Sequence, residues 1–187
     1  FLAIVTALIY PVGGALLYAL ALNTKPQAIE FLPVIAIALL YGIKTWKTFI
    51  ATILSVLALQ VVILLPFIST GGVGKLWHIS THVVGLYHNL SICAFNIWYL
   101  LSRANPYFVN DQDIFFLFSY RTIGLLMFSI AAMAAVYPLY KRIWLLRKKN
   151  KEIDNLTYET LFLSNGLLCL YFFYFNSQMH ERYAHPI

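Results

Sequence analysis

The last eleven residues of this 187-residue chain bring an acid, two bases and a permanent cation into one short stretch. The stretch reads SQMHERYAHPI, residues 177–187, and its ionisable side chains are His180, Glu181, Arg182 and His185. The planar guanidinium of arginine matches phosphate, and a neighbouring carboxylate and imidazole can orient hydroxyl groups. The stretch could therefore bind an anionic substrate. The alternative is a solvated loop whose charges anchor a helix at a membrane interface.

A second candidate anion site lies in NTKPQAIEFLP, residues 23–33. Pro26 suits the first position of a helix, and Lys25 precedes it at the positive end of the helix dipole. The alternative is an interfacial lysine that follows a turn. Glu30 lies one turn into a short apolar span, where an unpaired carboxylate is costly. We expect Glu30 to pair with Lys25 or to face water.

Histidines and carboxylates between residues 78 and 113 offer further chemistry. His78 and His82 are four residues apart, a spacing that could hold a metal on one helix face, but no third ligand is evident. Histidines that face a substrate or the membrane interface are therefore favoured. NDQD, residues 110–113, could hold a divalent cation, or its two carboxylates could be a chance pair. A divalent cation is the one cofactor left open, and no metal ligand is assigned.

Composition indicates the solvent in which these residues must be positioned. The chain is 61% hydrophobic and 11% charged, whereas soluble domains are about 45–50% apolar and about 25% charged. The pattern predicts a multi-pass integral membrane protein. The net charge of +6 is then better explained by a basic cytoplasmic face than by nucleic-acid binding. Because the sequence begins with Phe1 and ends just after Pro186, we expect a piece of a longer chain.

Five apolar spans are predicted, at about residues 1–22, 28–43, 49–66, 122–140 and 158–175. They predict an all-α transmembrane helix bundle, residues 1–187, that forms a single domain. Six basic residues in KRIWLLRKKNK, residues 141–151, indicate that the loop 141–157 is cytoplasmic. The loop 67–121 and all five histidines then lie outside. We expect interfacial helices within residues 76–101, anchored by Trp77, Tyr87, Trp98 and Tyr99.

Three motifs together resemble the GT-C class of integral membrane glycosyltransferases, over about residues 25–186. They are KPQAIEFLP on a short span, YHNLSICAFNIWYLL in the outer loop, and MHERYAHP after the last span. MHERY is similar to the His-Glu-Lys stretch of glucosyltransferases that extend lipid-linked oligosaccharides. It is closer still to bacterial mannosyltransferase-like members. The class takes a sugar from a polyprenyl-phosphate carrier on the outer or lumenal side of the membrane.

The resemblance implies an inverting hexosyltransferase in the bacterial inner membrane, with its site facing outward. Its partners would be a polyprenyl-phosphate-linked sugar and a glycan, lipid or protein acceptor. It implies lipid-phosphate binding by Arg182, Lys25 and His180, and substrate contacts by Glu181, Gln27, His82 and His88. The usual base of the class is an aspartate in the first outer loop, which this sequence lacks. The resemblance therefore implies a C-terminal portion, with no catalytic residue assigned.

Two readings outside this class remain open. A transporter or flippase of lipid-linked or anionic substrates would also place cations at helix ends. A membrane scaffold without chemistry would tolerate substitution of His180, Glu181 and Arg182. A related enzyme, an oligosaccharide ligase or polymerase that uses polyprenyl diphosphate, would share much of the pattern.

Overall fold

The computed structural model of the chain describes residues 1–82, 88–102 and 104–180, with backbone alone for residues 80–82 and 180. The first half holds α1 (Leu2–Ile9), α2 (Pro11–Thr24), a 3-10 helix (Pro26–Phe31), α3 (Leu32–Gly42), α4 (Trp46–Ser69) and α5 (Val73–His82). The second half holds β1 (Ser91–Ile92), α6 (Trp98–Leu101), β2 (Ile114–Phe115), β3 (Phe118–Ser119), α7 (Tyr120–Lys148), α8 (Asn155–Phe175) and β4 (Met179–His180).

Helix dominates the described residues, which confirms the all-α prediction in its coarse form. The strands of the described residues contain two residues each, and the sequence did not indicate them. β2 and β3 form an antiparallel pair, whereas β1 pairs in parallel with β4. The pairing of β1 with β4 joins parts of the chain that are far apart in sequence, so no local sequence pattern predicts it.

Two helices among the described residues are long and apolar enough to cross a membrane. They are α4, with a mean hydropathy of 2.5, and α7, with 1.9. Their 24 and 29 residues give lengths of about 36 and about 43 Å, against a hydrocarbon thickness of about 30 Å. The predicted spans 49–66 and 122–140 lie inside these two helices.

Prolines shape the apolar segment at the start of the chain. The predicted span 1–22 is divided at Tyr10, which has φ −130° and ψ 86°. The residue before a proline is disfavoured in the helical conformation, so α1 ends there and α2 begins at Pro11. The predicted span 28–43 likewise begins within the 3-10 helix and continues as α3.

The chain divides into two compact units. Residues 1–81 and 136–165 form the first unit, and residues 82–135 with those from Gly166 onward form the second. The first unit buries small and branched side chains of α1, α2 and α3, among them Ile4, Ala7, Ala15, Val34 and Ile35. Burying each of the larger side chains among these contributes about 1.5–3 kcal/mol to the stability of the folded state.

Aromatic packing forms the core of the second unit. The Trp98 side chain is 0% exposed and meets the Tyr120 ring edge to face, with ring centroids 5.5 Å apart. Phe115 stacks on the other side of Tyr120 at 4.9 Å. The prediction that Trp98 anchors at the membrane interface is therefore wrong. Trp77 is exposed, and Tyr87 lies outside the described residues.

The turn between α7 and α8 is held by Asp154, the residue before α8. Its Oδ1 accepts hydrogen bonds from the amide of Thr157 (3.1 Å) and from the Thr157 hydroxyl (2.6 Å). This is the capping arrangement that satisfies a free N–H at a helix start. Arg142 of α7 forms a salt bridge to Oδ2 of Asp154 at 2.5 Å. The hydrogen bond from Arg142, followed by that from Thr157, lowers the pKa of Asp154 from 3.8 to about 2.

We predict that Gly124→Ala destabilises the second unit, whereas Gly166→Ala does not. A Cβ at Gly124 would lie 2.7 Å from the Phe175 carbonyl oxygen and 3.0 Å from Cζ2 of Trp98. Relieving such overpacking typically costs about 1–3 kcal/mol. At Gly166 an added Cβ meets no described atom within 4 Å outside its own helix backbone, and alanine favours helix by about 0.5–1 kcal/mol. Thermal unfolding of the full chain in detergent measures both; equal midpoints would contradict the close approach.

We predict a pH-dependent difference in stability between the wild type and Asp154→Asn. Asparagine keeps the cap but loses the charge that pairs with Arg142. Because the folded-state pKa is depressed, the extra stability of the wild type is fully present above about pH 3.8 and is lost as the pH falls towards 2. The unfolding midpoints should therefore differ at pH 6 and converge near pH 2. Glu152→Gln, at an exposed carboxylate of the same turn, is the control and should show no such convergence.

Candidate functional site

The structure describes some of the predicted site residues and leaves others outside. Glu181, Arg182 and His185 lie outside the described residues. His180 and His82 are described by their backbone alone, at the ends of β4 and α5. The predicted contacts of these side chains therefore stay predictions.

The predicted residues that are described belong to two different units. Lys25 and Gln27 belong to the first unit, and His82, His88 and His180 to the second. Within the second unit, β4 brings the backbone of His180 beside Ile92. His88 has an exposed side chain, and its carbonyl oxygen accepts a hydrogen bond from the amide of Asp111 at 2.8 Å.

Residues 176–180, here called the docked segment, link the end of α8 to the predicted outer loop. The amide of Gln178 donates to the carbonyl of Leu90 at 3.0 Å, and Met179 pairs with Ser91. Gln178 has φ +59°, a left-handed conformation that a residue with a side chain rarely adopts. This conformation persists where surrounding contacts impose it, so the path of the docked segment is determined by the loop that it meets.

The start of the docked segment is held by the aromatic core. The indole N–H of Trp98 donates to the carbonyl of Asn176 at 3.1 Å, and the side-chain amide of Asn96 donates to the same oxygen at 3.3 Å. The amide of Ile97 donates to the carbonyl of Tyr174 at 3.2 Å. These bonds satisfy carbonyls at the end of α8 that no longer have partners within the helix. The end of α8 therefore has a defined position on the loop.

Asp111 is the buried acidic residue at the centre of this arrangement. Its side chain is 0% exposed, and its Oδ2 accepts from Nε2 of Gln178 at 2.7 Å and from Oγ of Ser177 at 3.1 Å. Its backbone is tied too, because its carbonyl accepts from the amide of Arg121 at 2.9 Å. Oδ1 is buried and has no hydrogen-bond partner among the described residues. A buried carboxylate oxygen is costly without a hydrogen-bond donor, so Oδ1 could accept one more hydrogen bond.

The two carboxylates of NDQD, predicted to hold a divalent cation together, lie in different surroundings. Asp111 is buried and engaged by the docked segment, whereas Asp113 is exposed. In the part of the chain that the structure describes, no group of three or more His, Cys, Asp or Glu could hold a metal ion. Asp111 thus acts as a positioning residue. Sequence inspection singled out the motif but not this use of it, since a buried partner for Gln178 has no local signature.

The segment around Lys25 follows the sequence prediction in part. Pro26 begins a helix, as predicted, but this helix is a six-residue 3-10 helix. Lys25 is exposed and Gln27 half-buried. Glu30 is only 9% exposed and the charge of Lys25 acts on it across the turn, so of the two expected alternatives the structure favours the pairing with Lys25 over exposure to water. The hydroxyl of Tyr18 donates to the carbonyl of Ala28 at 3.0 Å and ties the 3-10 helix to α2.

We predict that Asp111→Ala releases the docked segment, whereas Asp113→Ala does not. Removing the carboxylate leaves Ser177 and Gln178 without their acceptor, a loss of about 1–3 kcal/mol. The expected result is a lower unfolding midpoint and faster proteolytic cleavage within residues 176–180. Asp113→Ala removes a carboxylate at an exposed position two residues further along the chain, so it controls for the loss of the carboxylate alone. Equal protection of the segment in both variants would show that Asp111 does not hold it.

No family model matches this sequence, and searches of curated proteins and of solved structures find no significant match. Function is therefore inferred from residue types, spacing and geometry.

Proposed function

We propose that this chain is part of a multi-pass membrane glycosyltransferase that moves a hexose from a polyprenyl-phosphate carrier to an acceptor on the extracytoplasmic side. The observation that carries the proposal is the docked segment, which leads directly into Glu181 and Arg182. β4, which comes immediately before Glu181 and Arg182 in the sequence, is held by its pairing with β1. Catalytic electrostatics depend on such fixed positions, because a group that must reorganise contributes less at the moment of reaction.

The chemistry explains why a cation is needed at this place. When the glycosidic bond to the carrier breaks, negative charge grows on the departing polyprenyl phosphate. A cation aimed at that phosphate stabilises the transition state more than the ground state. Arg182 fills this role in the proposal, with His180 as a further phosphate ligand. A direct displacement of the phosphate by an acceptor hydroxyl inverts the sugar carbon, and the base that takes the hydroxyl proton is not assigned.

The remaining predicted residues would contact the sugar and the acceptor. Glu181 can accept hydrogen bonds from sugar hydroxyls, and His82 and His88 can each donate and accept one. The exposed side chain of His88 is available for such a contact, since its backbone carbonyl alone is used by Asp111.

The predicted topology supports an interfacial site for the lipid phosphate. α8 contains 21 residues and would provide the predicted span 158–175, although it is not one of the two described helices that are long and apolar enough to cross a membrane. The basic turn that predicts the cytoplasmic side precedes α8, and the docked segment follows it. Transporters often place their charges at breaks within helices near the membrane midplane. Here the charged motif follows the end of a helix that is continuous from Asn155 to Phe175, which favours the enzyme over the flippase.

The test uses the full-length protein reconstituted in liposomes with a radiolabelled polyprenyl-phosphate hexose. We expect Arg182→Ala to reduce release of the label from the carrier about 100–1,000-fold, the loss typical of one transition-state donor. Glu181→Ala should reduce it as well. Lys141→Ala and Glu159→Ala, which remove the same charges near the predicted cytoplasmic turn, should leave it unchanged at equal protein levels.

Two outcomes would contradict the proposal. Transfer that survives in both Arg182→Ala and Glu181→Ala would reduce the motif to an interfacial anchor. Movement of the intact lipid-linked sugar across the bilayer, without release of the sugar, would establish the flippase instead.

A further inference from the structure

A groove in the first unit lies where α3 ends and α4 begins. It has a volume of about 550 Å³, and apolar side chains form most of its wall: Leu39, Leu40, Ile43, Trp46 and Phe49. Trp46 stacks on Phe49 with ring centroids 4.9 Å apart, and the Trp46 side chain is 72% exposed. This surface, here called the α3–α4 groove, is thus open to the surroundings and apolar over most of its length.

Basic side chains border the α3–α4 groove at one end. Lys44 and Arg147 line it, and both also line a smaller adjoining cavity of about 210 Å³ that contains Lys151. The guanidinium of Arg147 donates to the carbonyls of Leu40 and Ile43, which fix its position at the end of α3. Carbonyl acceptors carry no net charge, so they do not neutralise the guanidinium. The border therefore presents fixed positive charge.

Acidic side chains do not balance this charge. The one salt bridge between described side chains joins Arg142 to Asp154 and involves neither Lys44 nor Arg147. Lys44 lies over the ring of Tyr41, 5.5 Å from its centroid, which leaves its charge in place. Glu152, exposed in the same turn, supplies one negative charge against the three cations Lys44, Arg147 and Lys151. The border keeps a net positive charge.

We infer that the α3–α4 groove binds an anionic phospholipid. An acyl chain would lie along the apolar wall, and the phosphate would meet Lys44, Arg147 and Lys151. Basic pockets beside helices on the cytoplasmic side suit anionic headgroups, and an exposed tryptophan suits the interface. A free phosphate would use the cations alone and leave the apolar wall in water, so a lipid accounts for more of the surface. The inference shares with the proposed function its membrane location, but neither its residues nor its chemistry.

The test titrates delipidated full-length protein with phosphatidylglycerol or phosphatidylcholine and counts bound lipids by native mass spectrometry. We expect phosphatidylglycerol to bind more tightly. Lys44→Gln should weaken it about fivefold, since one cation at a membrane surface is worth about 1 kcal/mol. Lys47→Gln makes the same change three residues away, outside the groove lining, and should have less than half of that effect. Trp46→Ala should weaken both lipids.

Three results would overturn the inference. Equal binding of the two lipids would show that the groove does not recognise an anionic headgroup. Equal losses of binding in Lys44→Gln and Lys47→Gln would show that general surface charge, and not the groove, attracts the lipid. Full displacement of phosphatidylglycerol by millimolar inorganic phosphate would identify a free-phosphate site. Arg147→Gln is a second variant of a cation at the groove border. It removes the guanidinium charge and also its hydrogen bonds to the end of α3. Arg182→Ala should bind phosphatidylglycerol like the wild type, so failure of the glycosyltransferase proposal would leave this measurement intact.

Discussion

The buried carboxylate of Asp111 is the constraint around which the second unit is organised. Its Oδ2 accepts from both Ser177 and Gln178, and its backbone joins His88 to Arg121. A buried carboxyl group is costly without donors, and the two donors to Oδ2 come from a segment that is distant in sequence. The left-handed conformation of Gln178 and the parallel pairing of β1 with β4 occur in the same segment that supplies these donors.

The aromatic core makes this constraint rigid. Trp98 packs against Tyr120 and at the same time donates to the carbonyl of Asn176, so one side chain links the hydrophobic core to the end of α8. Gly124 permits that contact, because its missing Cβ leaves room for the Phe175 carbonyl and the indole. Packing and hydrogen bonding thus act on the same short stretch of chain.

In the first unit, charge is handled in the opposite way. Asp154 is exposed and pairs with Arg142, and it also caps α8. Lys44 and Arg147 remain unneutralised at the border of the apolar α3–α4 groove. Arg142 of α7 therefore stabilises the turn, whereas Arg147 of α7 and Lys44 form a second group that borders the groove. The second group gives the predicted cytoplasmic side an affinity for anionic lipid that a net-charge count alone would not localise.

The sequence by itself determined the helical class, the two long apolar helices and the clustering of basic residues between α7 and α8. Each of these is a local property: apolar run length predicts helices in a membrane, and charge near their ends predicts orientation. The break at Tyr10 was not predicted, although a proline at position 11 disfavours the helical conformation at the residue before it. In the second unit the MHERY motif was visible, but the way in which the chain before it is held was not.

Tertiary structure alone decided that Asp111 is a buried acceptor and that Trp98 is a core residue instead of an interfacial anchor. It also decided that Glu30 is buried and that Lys44 and Arg147 border one groove. For Asp111 and Trp98 the partner lies far away in sequence, at Gln178 and Asn176 respectively. Residue type and spacing encode what a side chain can do. Which of those capacities it uses depends on the donors, acceptors and apolar surface that folding brings beside it.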